Sequence, residues 1–158
     1  SILTITAFGF GANAQNVNIP DANFKAYLVG HTAINTNADT EIQVSEASAF
    51  SGSIICSNNF ISDLTGIEEF VNLTEMKCLN NQVTSVDLSL NTALTLIYLS
   101  NNKLNSLDVS KNINLSVLEC TNNELTTLDV STNIVLTQIK CHSNKLRSLD
   151  LSNNPKLS

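Results

Sequence analysis

The chain has 158 residues, 42% hydrophobic and 14% charged, which is enough for one modest domain with a buried core. Its formal net charge of −6 argues against nucleic acid and anionic membrane surfaces as partners, because both repel an acidic protein. Tryptophan is absent and aromatic residues make up 5%, which is typical of a core built from small aliphatic side chains.

Residues 1–14 form an apolar segment that resembles the end of a secretory signal peptide. Ala12, Asn13 and Ala14 supply the small residues of a cleavage site directly before Gln15. The segment has no basic start, so we interpret it as a truncated signal peptide of a secreted or cell-surface protein; a hydrophobic first strand is the alternative. Neither this segment nor any later one is long enough to span a bilayer, so no membrane insertion is expected.

The next region is predicted to be a small helical cap. Pro20 and Asp21 favour a helix start, Phe24 and Leu28 share one face of that helix, and Gly30 favours its end.

A second short helix is predicted to begin near Ser45, whose hydroxyl would cap it. Phe24, Leu28 and Phe50 would then cover the first coil of the structure that follows.

Between the two helices, the segment 35–46 is similar to a calcium loop of the EF-hand or dockerin kind. It departs from that pattern because Asn35 replaces the usual Asp and Thr40 stands where Gly is normal, so only weak binding is expected. A polar loop held by Asx turns is the alternative. No other cofactor is predicted, and the candidate calcium ligands are Asn35, Asn37, Asp39, Glu41 and Glu46.

From about residue 54 onward, one motif recurs: L-x-x-L-x-(C/L)-x-x-N-x-L. Its sixth position falls at Cys56, Cys78, Leu99, Cys120 and Cys141, spaced by 22 residues and then by 21. Each motif is predicted to form a short strand, parallel to its neighbours at about 4.8 Å. A single coil of this kind cannot bury its own apolar residues, so successive coils must stack.

We therefore predict a leucine-rich repeat solenoid, right-handed and similar to a β-solenoid. Parallel strands would form the concave face, the convex face would be poor in helices, and a small α-helical cap would stand at the N-terminus. The predicted regions are the signal peptide at 1–14, the cap at 15–53 and about five repeats at 54–158, the last one truncated.

One asparagine of each motif falls at the bend that follows the strand. A side-chain amide has two donor hydrogens and an acceptor oxygen, so it can satisfy backbone groups that the bend leaves without partners. The predicted structural ladder consists of Asn59, Asn81, Asn102, Asn123 and Asn144.

The four cysteines occupy one inward position of the repeat, which Leu99 fills in the middle coil. A position that accepts leucine belongs to the core, so we interpret the cysteines as buried thiols. Disulfides between adjacent coils are the alternative, and no spacing typical of a zinc site occurs.

Side chains on the outer side of the strands are candidates for binding. Leu96, Tyr98 and Val117 form an apolar island surrounded by charges of both signs, a composition typical of protein interfaces. Isolated exposed apolar residues are also common on monomers, and that alternative stays open. The predicted partner-binding residues are Ile55, Phe60, Glu75, Lys77, Leu96, Tyr98, Lys103, Val117, Glu119, Glu124, Gln138 and Lys140.

Catalysis is not expected. Neither His31 nor His142 has an activated nucleophile in its sequence context, and no glycine-rich phosphate loop occurs. Aspartates recur once per coil, which indicates an architectural role, at Asp87, Asp108, Asp129 and Asp150.

The repeats at 54–158 resemble secreted bacterial leucine-rich repeat proteins, including the internalins, and the stretch 61–73 is especially similar to an internalin turn. The resemblance implies a non-catalytic secreted or cell-surface module that binds a protein partner through its concave face. A carbohydrate-binding or adhesive module is one alternative. A passive spacer that displays a domain beyond Ser158 is another.

Overall fold

The computed structural model describes residues 15–157, and the predicted signal peptide lies outside them. A 3₁₀ turn, Ile67–Glu69, lies between the first and second strands. The helices are α1 (Ala22–Val29) and α2 (Val44–Ala49), and the strands are β1 (Gly52–Ile55), β2 (Leu73–Lys77), β3 (Leu96–Tyr98), β4 (Val117–Glu119) and β5 (Gln138–Lys140).

The five strands form one parallel sheet in chain order. From β2 onward each strand pairs with the next in register, so that Met76 stands beside Ile97, which stands beside Leu118. Between β1 and β2 the register shifts by one residue after Gly52. Each coil contributes one strand to the sheet. Because successive coils repeat at 21 residues, equivalent motif positions lie beside one another and form columns across the sheet. The predicted leucine-rich repeat solenoid with parallel strands is confirmed.

The core runs through the interior of the coils. In the middle coil Leu94, Ile97, Leu99 and Leu104 are all fully buried, and the neighbouring coils bury the equivalent side chains. Each such aliphatic side chain contributes about 1.5–3 kcal/mol on leaving water. In the described part of the chain, the return segments after β2 consist of turns without a helix.

Helix α1 covers the first strand. It begins after Asp21, whose Oδ1 accepts hydrogen bonds from the backbone N–H groups of Asn23 and Phe24. Its buried residues belong to the same core cluster as the strands. The hydroxyl oxygen of Tyr27 accepts a hydrogen bond of 2.8 Å from the N–H of Ile55, at the edge of β1 that faces away from β2.

Helix α2 starts differently from the prediction. Its N-cap is Gln43, whose backbone N–H donates to Oε2 of Glu46, and Ser45 is an exposed residue inside the first turn. The predicted Ser45 cap is wrong, because the glutamate three residues after Gln43 accepts the N-cap N–H. Phe50, directly after α2, packs edge-on against Phe70 with ring centroids 6.2 Å apart and so joins the cap to the repeats.

Gly66 marks a close approach between the N-terminal segment and the repeats. Its φ is +102°, and a Cβ at this position would lie 2.8 Å from Cγ1 of Ile19. A side chain therefore fits neither the backbone conformation nor the space.

Candidate functional site

The outward side of the sheet is the candidate site, and we call it the sheet face. In β3 and β4 the central residue is buried, while the residues on either side of it are partly exposed. Three columns of side chains cross the sheet face: Ser53, Glu75, Leu96, Val117 and Gln138; Ile55, Lys77, Tyr98, Glu119 and Lys140; and, in the bends after the strands, Phe60, Gln82, Lys103, Glu124 and Lys145.

The predicted apolar island lies in the middle of the sheet face but is only half-exposed. Leu96 and Val117 are in-register neighbours on adjacent strands, so their side chains screen each other from water. The Nζ of Lys77 lies 5.1 Å from the ring centroid of Tyr98 and covers part of that ring. The three side chains of the island therefore expose less apolar surface than they would without these neighbours.

The glutamates on the sheet face are paired with its lysines. Glu75 lies 2.7 Å from Nζ of Lys77, and the hydrogen bond from this lysine lowers the pKa of Glu75. Oε1 of Glu119 accepts hydrogen bonds from Lys140 and Gln138, at 2.6 and 2.8 Å.

Glu124 pairs with Lys145 at 2.8 Å. The hydrogen bond from Lys145 lowers the pKa of Glu124, and the charge of Lys103 lowers it further. The carboxylates of the sheet face therefore already have partners from neighbouring coils or from their own strand.

The largest exposed apolar side chains of the sheet face lie at its cap end, where Ile55 is 51% and Phe60 74% exposed. Phe60 has a φ of +57°, in the left-handed region that a bulky aromatic residue rarely adopts. Hydrogen bonds fix the chain on both sides of it: Asn23 Nδ2 donates to the carbonyl of Phe60, and the N–H of Ile61 donates to Oδ1 of Asn81.

The predicted asparagine ladder lies directly behind these bends. Oδ1 of Asn102 accepts the N–H of Val83 at 3.0 Å, and its Nδ2 donates to the carbonyls of Cys78 and Leu99. Each of these side chains thus joins its own coil to the preceding one. The same pattern occurs at Asn81, Asn123 and Asn144, whereas the half-buried Asn59 of the first coil donates to the carbonyl of Ser57.

The structure contains a second, exposed ladder that the sequence analysis missed. It is formed by the residue directly before each ladder asparagine, with φ between +55° and +62°. Asparagine tolerates this conformation better than most residues. The side-chain amides bond one to the next at 3.1, 2.7 and 2.8 Å along Asn58, Asn80, Asn101 and Asn122. The sequence signal for this ladder is the recurring Asn-Asn pair.

A third column of asparagines lies on the return side and is buried, like the predicted ladder behind the sheet face. Nδ2 of Asn112 donates to the carbonyls of Leu88 and Asn91, both in the preceding coil. The same geometry recurs at Asn133 and Asn154. Two amide columns therefore join successive coils, one on each side of the core.

All four cysteines are free thiols, and Cys141 is the one that is partly exposed. Nδ2 of Asn81 lies 3.1 Å from Sγ of Cys78. Burial raises the pKa of Cys120 to about 12. With its pKa raised, the Cys120 thiol stays protonated at neutral pH, and the buried cysteines of the column behave as small apolar side chains.

The predicted calcium loop uses its oxygens for its own hydrogen bonds. Oε1 of Glu46 accepts the N–H of Thr36 at 2.7 Å, and Oδ1 of Asp39 accepts the N–H of Glu41 at 2.7 Å. Glu41 also pairs with Lys25 at 2.6 Å, and the N–H of Asp39 donates to Oδ1 of Asn37.

Asn35 is buried, and its Nδ2 donates to the carbonyls of Val29 and Asp39. In residues 15–157, no three Asp, Glu, His or Cys side chains come together as a metal site would need. Calcium binding stays a prediction, and it would require several of these hydrogen bonds to break.

The recurring aspartates hold the turns of the return side. Oδ1 of Asp108 accepts the backbone N–H of Ser110 at 2.8 Å, and hydrogen bonds from the serine two residues on lower the pKa of each aspartate in the column. His142 is exposed, with Nδ1 3.2 Å from Oγ of Ser143. Among the described residues, no helix has the length and apolar composition needed to cross a bilayer.

The fold is similar to the folds of solved internalins, although no protein-family model matches the chain. Internalin J of Listeria monocytogenes serotype 4b (strain F2365) is 38% identical over 73 residues, which make up 46% of this chain and 8% of internalin J. The chain therefore spans only a small part of that relative.

The solved functional domain of InlJ from Listeria monocytogenes, which includes a cysteine ladder, is 39% identical to the chain with a TM-score of 0.80. The similarity covers 90% of this chain and 32% of that domain. Internalin C2 from strain 4b F2365 is 20% identical with a TM-score of 0.67, covering 91% of this chain and 76% of its own, and shows the shared fold alone. The chain is an internalin-like leucine-rich repeat solenoid, similar to internalin J in both sequence and fold.

Proposed function

We propose that this chain is a non-catalytic recognition module, secreted or held at the cell surface, whose sheet face binds a protein partner. The observation that supports the proposal is the composition of that face. Partly exposed apolar side chains stand at its centre and cap end, and paired charges surround them. Protein interfaces combine an apolar centre with a polar rim in the same way.

The scaffold suits recognition because the sheet face is held rigidly. Behind it, four buried or half-buried amides each bond two successive coils together: Asn81, Asn102, Asn123 and Asn144. A surface that is ordered before binding loses little conformational freedom when a partner docks.

The carbohydrate alternative is less well supported. Sugar-binding sites typically offer aromatic ring faces, and the Tyr98 ring is partly covered by Lys77. Phe60 is the aromatic side chain that the sheet face exposes, and a single ring is a small platform for a glycan.

The cysteine column has a structural role in this proposal. The InlJ domain includes a cysteine ladder, and we infer that Cys56, Cys78, Cys120 and Cys141 form the corresponding ladder here, interrupted by Leu99. Its thiols fill the core behind the sheet face and do not take part in binding.

A selection from a library of displayed random 12-residue peptides tests the binding face. Peptides selected on the wild-type chain should lose binding to a variant in which Leu96, Tyr98 and Val117 are all changed to Ser. A matched control changes Ile113 and Ile134 to Ser, because these residues are 57% and 56% exposed in the turns before β4 and β5. Circular dichroism would establish that both variants fold, and equal binding to all three proteins would contradict the proposal.

A further inference from the structure

Charge is divided unevenly between the sheet face and the rest of the protein. The sheet face carries a net charge of +1, whereas the remaining charged residues sum to −7 in a chain whose total is −6. An acidic partner is therefore repelled by most of the surface but not by this face. The charged residues of the sheet face are Lys77, Lys103, Lys140, Lys145, Glu75, Glu119 and Glu124.

Lys103 is the source of the positive excess. Each glutamate of the sheet face pairs with one of the other lysines at 2.6 to 2.8 Å. Within residues 15–157, no carboxylate lies within ion-pair distance of Lys103, and its Nζ is 3.4 Å from the neutral Oε1 of Gln82. This side chain is exposed and remains available for an acceptor from outside.

Phe60, Gln82 and Lys103 occupy the same position of three successive coils. Coils that differ by one strand are about 4.8 Å apart, so the backbones at Phe60 and Lys103 are separated by about 10 Å. Phe60 is 74% exposed, and the surrounding hydrogen bonds hold it in a left-handed conformation that costs free energy. Strain of this kind concentrates at sites where a side chain must be presented.

We propose that the sheet face accepts an acidic protein segment that places an apolar side chain against Phe60 and a carboxylate against Lys103. This inference rests on the proposed function and adds the chemistry of the partner. A segment in the polyproline II conformation advances about 3.1 Å per residue and returns a side chain to the same side every third residue, so the two side chains would stand about three residues apart. The apolar contact contributes affinity, and the charge-assisted hydrogen bond to Lys103 sets the register of the segment.

The same library of displayed random 12-residue peptides provides the probe. Selection on the wild-type chain should enrich peptides with Asp or Glu about three residues from an aliphatic or aromatic residue. Lys103→Glu should weaken these peptides at least about tenfold, whereas Lys103→Arg should retain them. Phe60→Asn should weaken them to a similar extent, and its fold should persist because Asn occupies the same left-handed conformation elsewhere in the repeats.

Lys111→Glu is the matched control, since Lys111 is an exposed lysine on the return side. This charge reversal should leave peptide binding unchanged. Raising the salt concentration should weaken binding to the wild-type chain more than to Lys103→Met, because only the former uses the charge.

Several results would overturn the proposal. Enrichment of basic peptides, enrichment of none, or full binding to Lys103→Glu would each exclude the acidic segment. Binding that survives Lys103→Glu but disappears in the triple serine variant would leave the proposed function intact and reject only this inference. Glycans that bind in a Lys103-independent way, with no acidic peptide enriched, would likewise reject it.

Discussion

Asp21 and Ser62 lie 41 residues apart in the chain, and Oδ2 of Asp21 accepts hydrogen bonds from both the N–H and the Oγ–H of Ser62, at 2.8 and 2.9 Å. The N–H of Asp63 donates to the same oxygen at 3.2 Å. The other carboxylate oxygen caps α1. A single side chain therefore orders the first helix and joins it to the first coil, directly beside the bend that presents Phe60.

Changing Asp21 to Ala should lower the free energy of unfolding by about 2–4 kcal/mol. The helix cap accounts for about 1 kcal/mol of that, and the hydrogen bonds from Ser62 and Asp63 to a charged acceptor account for the rest. Urea unfolding followed by circular dichroism measures the difference. Ser62→Ala removes only the hydroxyl donor and should lose about 1 kcal/mol. An Asp21→Ala protein as stable as the wild type would show that the cap is held by apolar packing alone.

The contribution of Asp21 should depend on pH. Burial by itself would raise the pKa of Asp21, but the donors from Ser62, Phe24 and Asp63 outweigh burial, so the pKa is lowered in the folded state. A lowered folded-state pKa means that the stabilisation is complete above the ordinary value of about 3.9 and is lost as pH falls below it. The stability difference between wild type and Asp21→Asn should therefore be constant from about pH 7 to 5 and shrink toward about pH 3. A difference that stays constant over the whole range would contradict this assignment.

The two asparagine ladders of the bends should respond very differently to substitution. Asn102→Ala leaves the buried N–H of Val83 and the carbonyl of Cys78 without this partner, and should cost about 2–4 kcal/mol. Asn101→Gly, one residue earlier, keeps the left-handed backbone and removes only two exposed side-chain ladder bonds, so a change of about 0.5 kcal/mol or less is expected. Thermal unfolding of the two variants under identical conditions compares them. Equal losses would mean that the exposed ladder matters as much as the buried one.

Phe60→Asn should stabilise the isolated chain while weakening its binding. The left-handed conformation costs a residue with a bulky side chain about 1 kcal/mol or more, and Asn meets a smaller penalty. Because the ring is mostly exposed, little buried apolar area is lost with it. Urea unfolding should show a gain of about 0.5–1 kcal/mol. A loss of stability would show that the ring supports the fold rather than presenting a contact surface.

Cysteine reactivity should follow burial along the column. Cys141 is partly exposed and should be alkylated first by iodoacetamide at about pH 8, whereas the buried Cys56, Cys78 and Cys120 should react only as the chain opens. Mass spectrometry of the time course measures the order. Cys120→Leu should keep the fold, because Leu99 fills the same position one coil earlier. Four thiols that react at one common rate in native conditions would contradict this order.

Periodicity explains why so much of the fold could be predicted from the sequence. An interval that recurs along the chain places each position in a column, so one assignment, such as the inward Cys/Leu99 position, settles five coils together. The start of α2 had no such repetition. Its N-cap is set by local sequence: Glu46 lies three residues after Gln43 and accepts the backbone N–H of Gln43, whereas no carboxylate lies three residues after Ser45.

The candidate site was less predictable because exposure depends on neighbours. Leu96 and Val117 are outward in any reading of the repeat, but their half-burial follows from the in-register pairing of β3 with β4. The exposed ladder that begins at Asn58 was missed because it depends on a positive φ at the first Asn of each Asn-Asn pair, and the pair alone does not specify that angle. The left-handed Phe60 has no counterpart in other coils, so no column could reveal it.

The buried amides that link neighbouring coils also limit how such a chain can change length in evolution. Asn102 meets its acceptor 24 residues upstream and its donor 19 residues upstream. Asn81, whose coil is one residue longer, makes the same two bonds at 25 and 20 residues, so the bonds tolerate a change of one residue. Adding or removing a few residues in one coil would misalign the amides on both sides of it. Duplication or loss of one complete 21-residue unit leaves every such bond with an equivalent partner, which makes whole coils the natural unit of gain and loss.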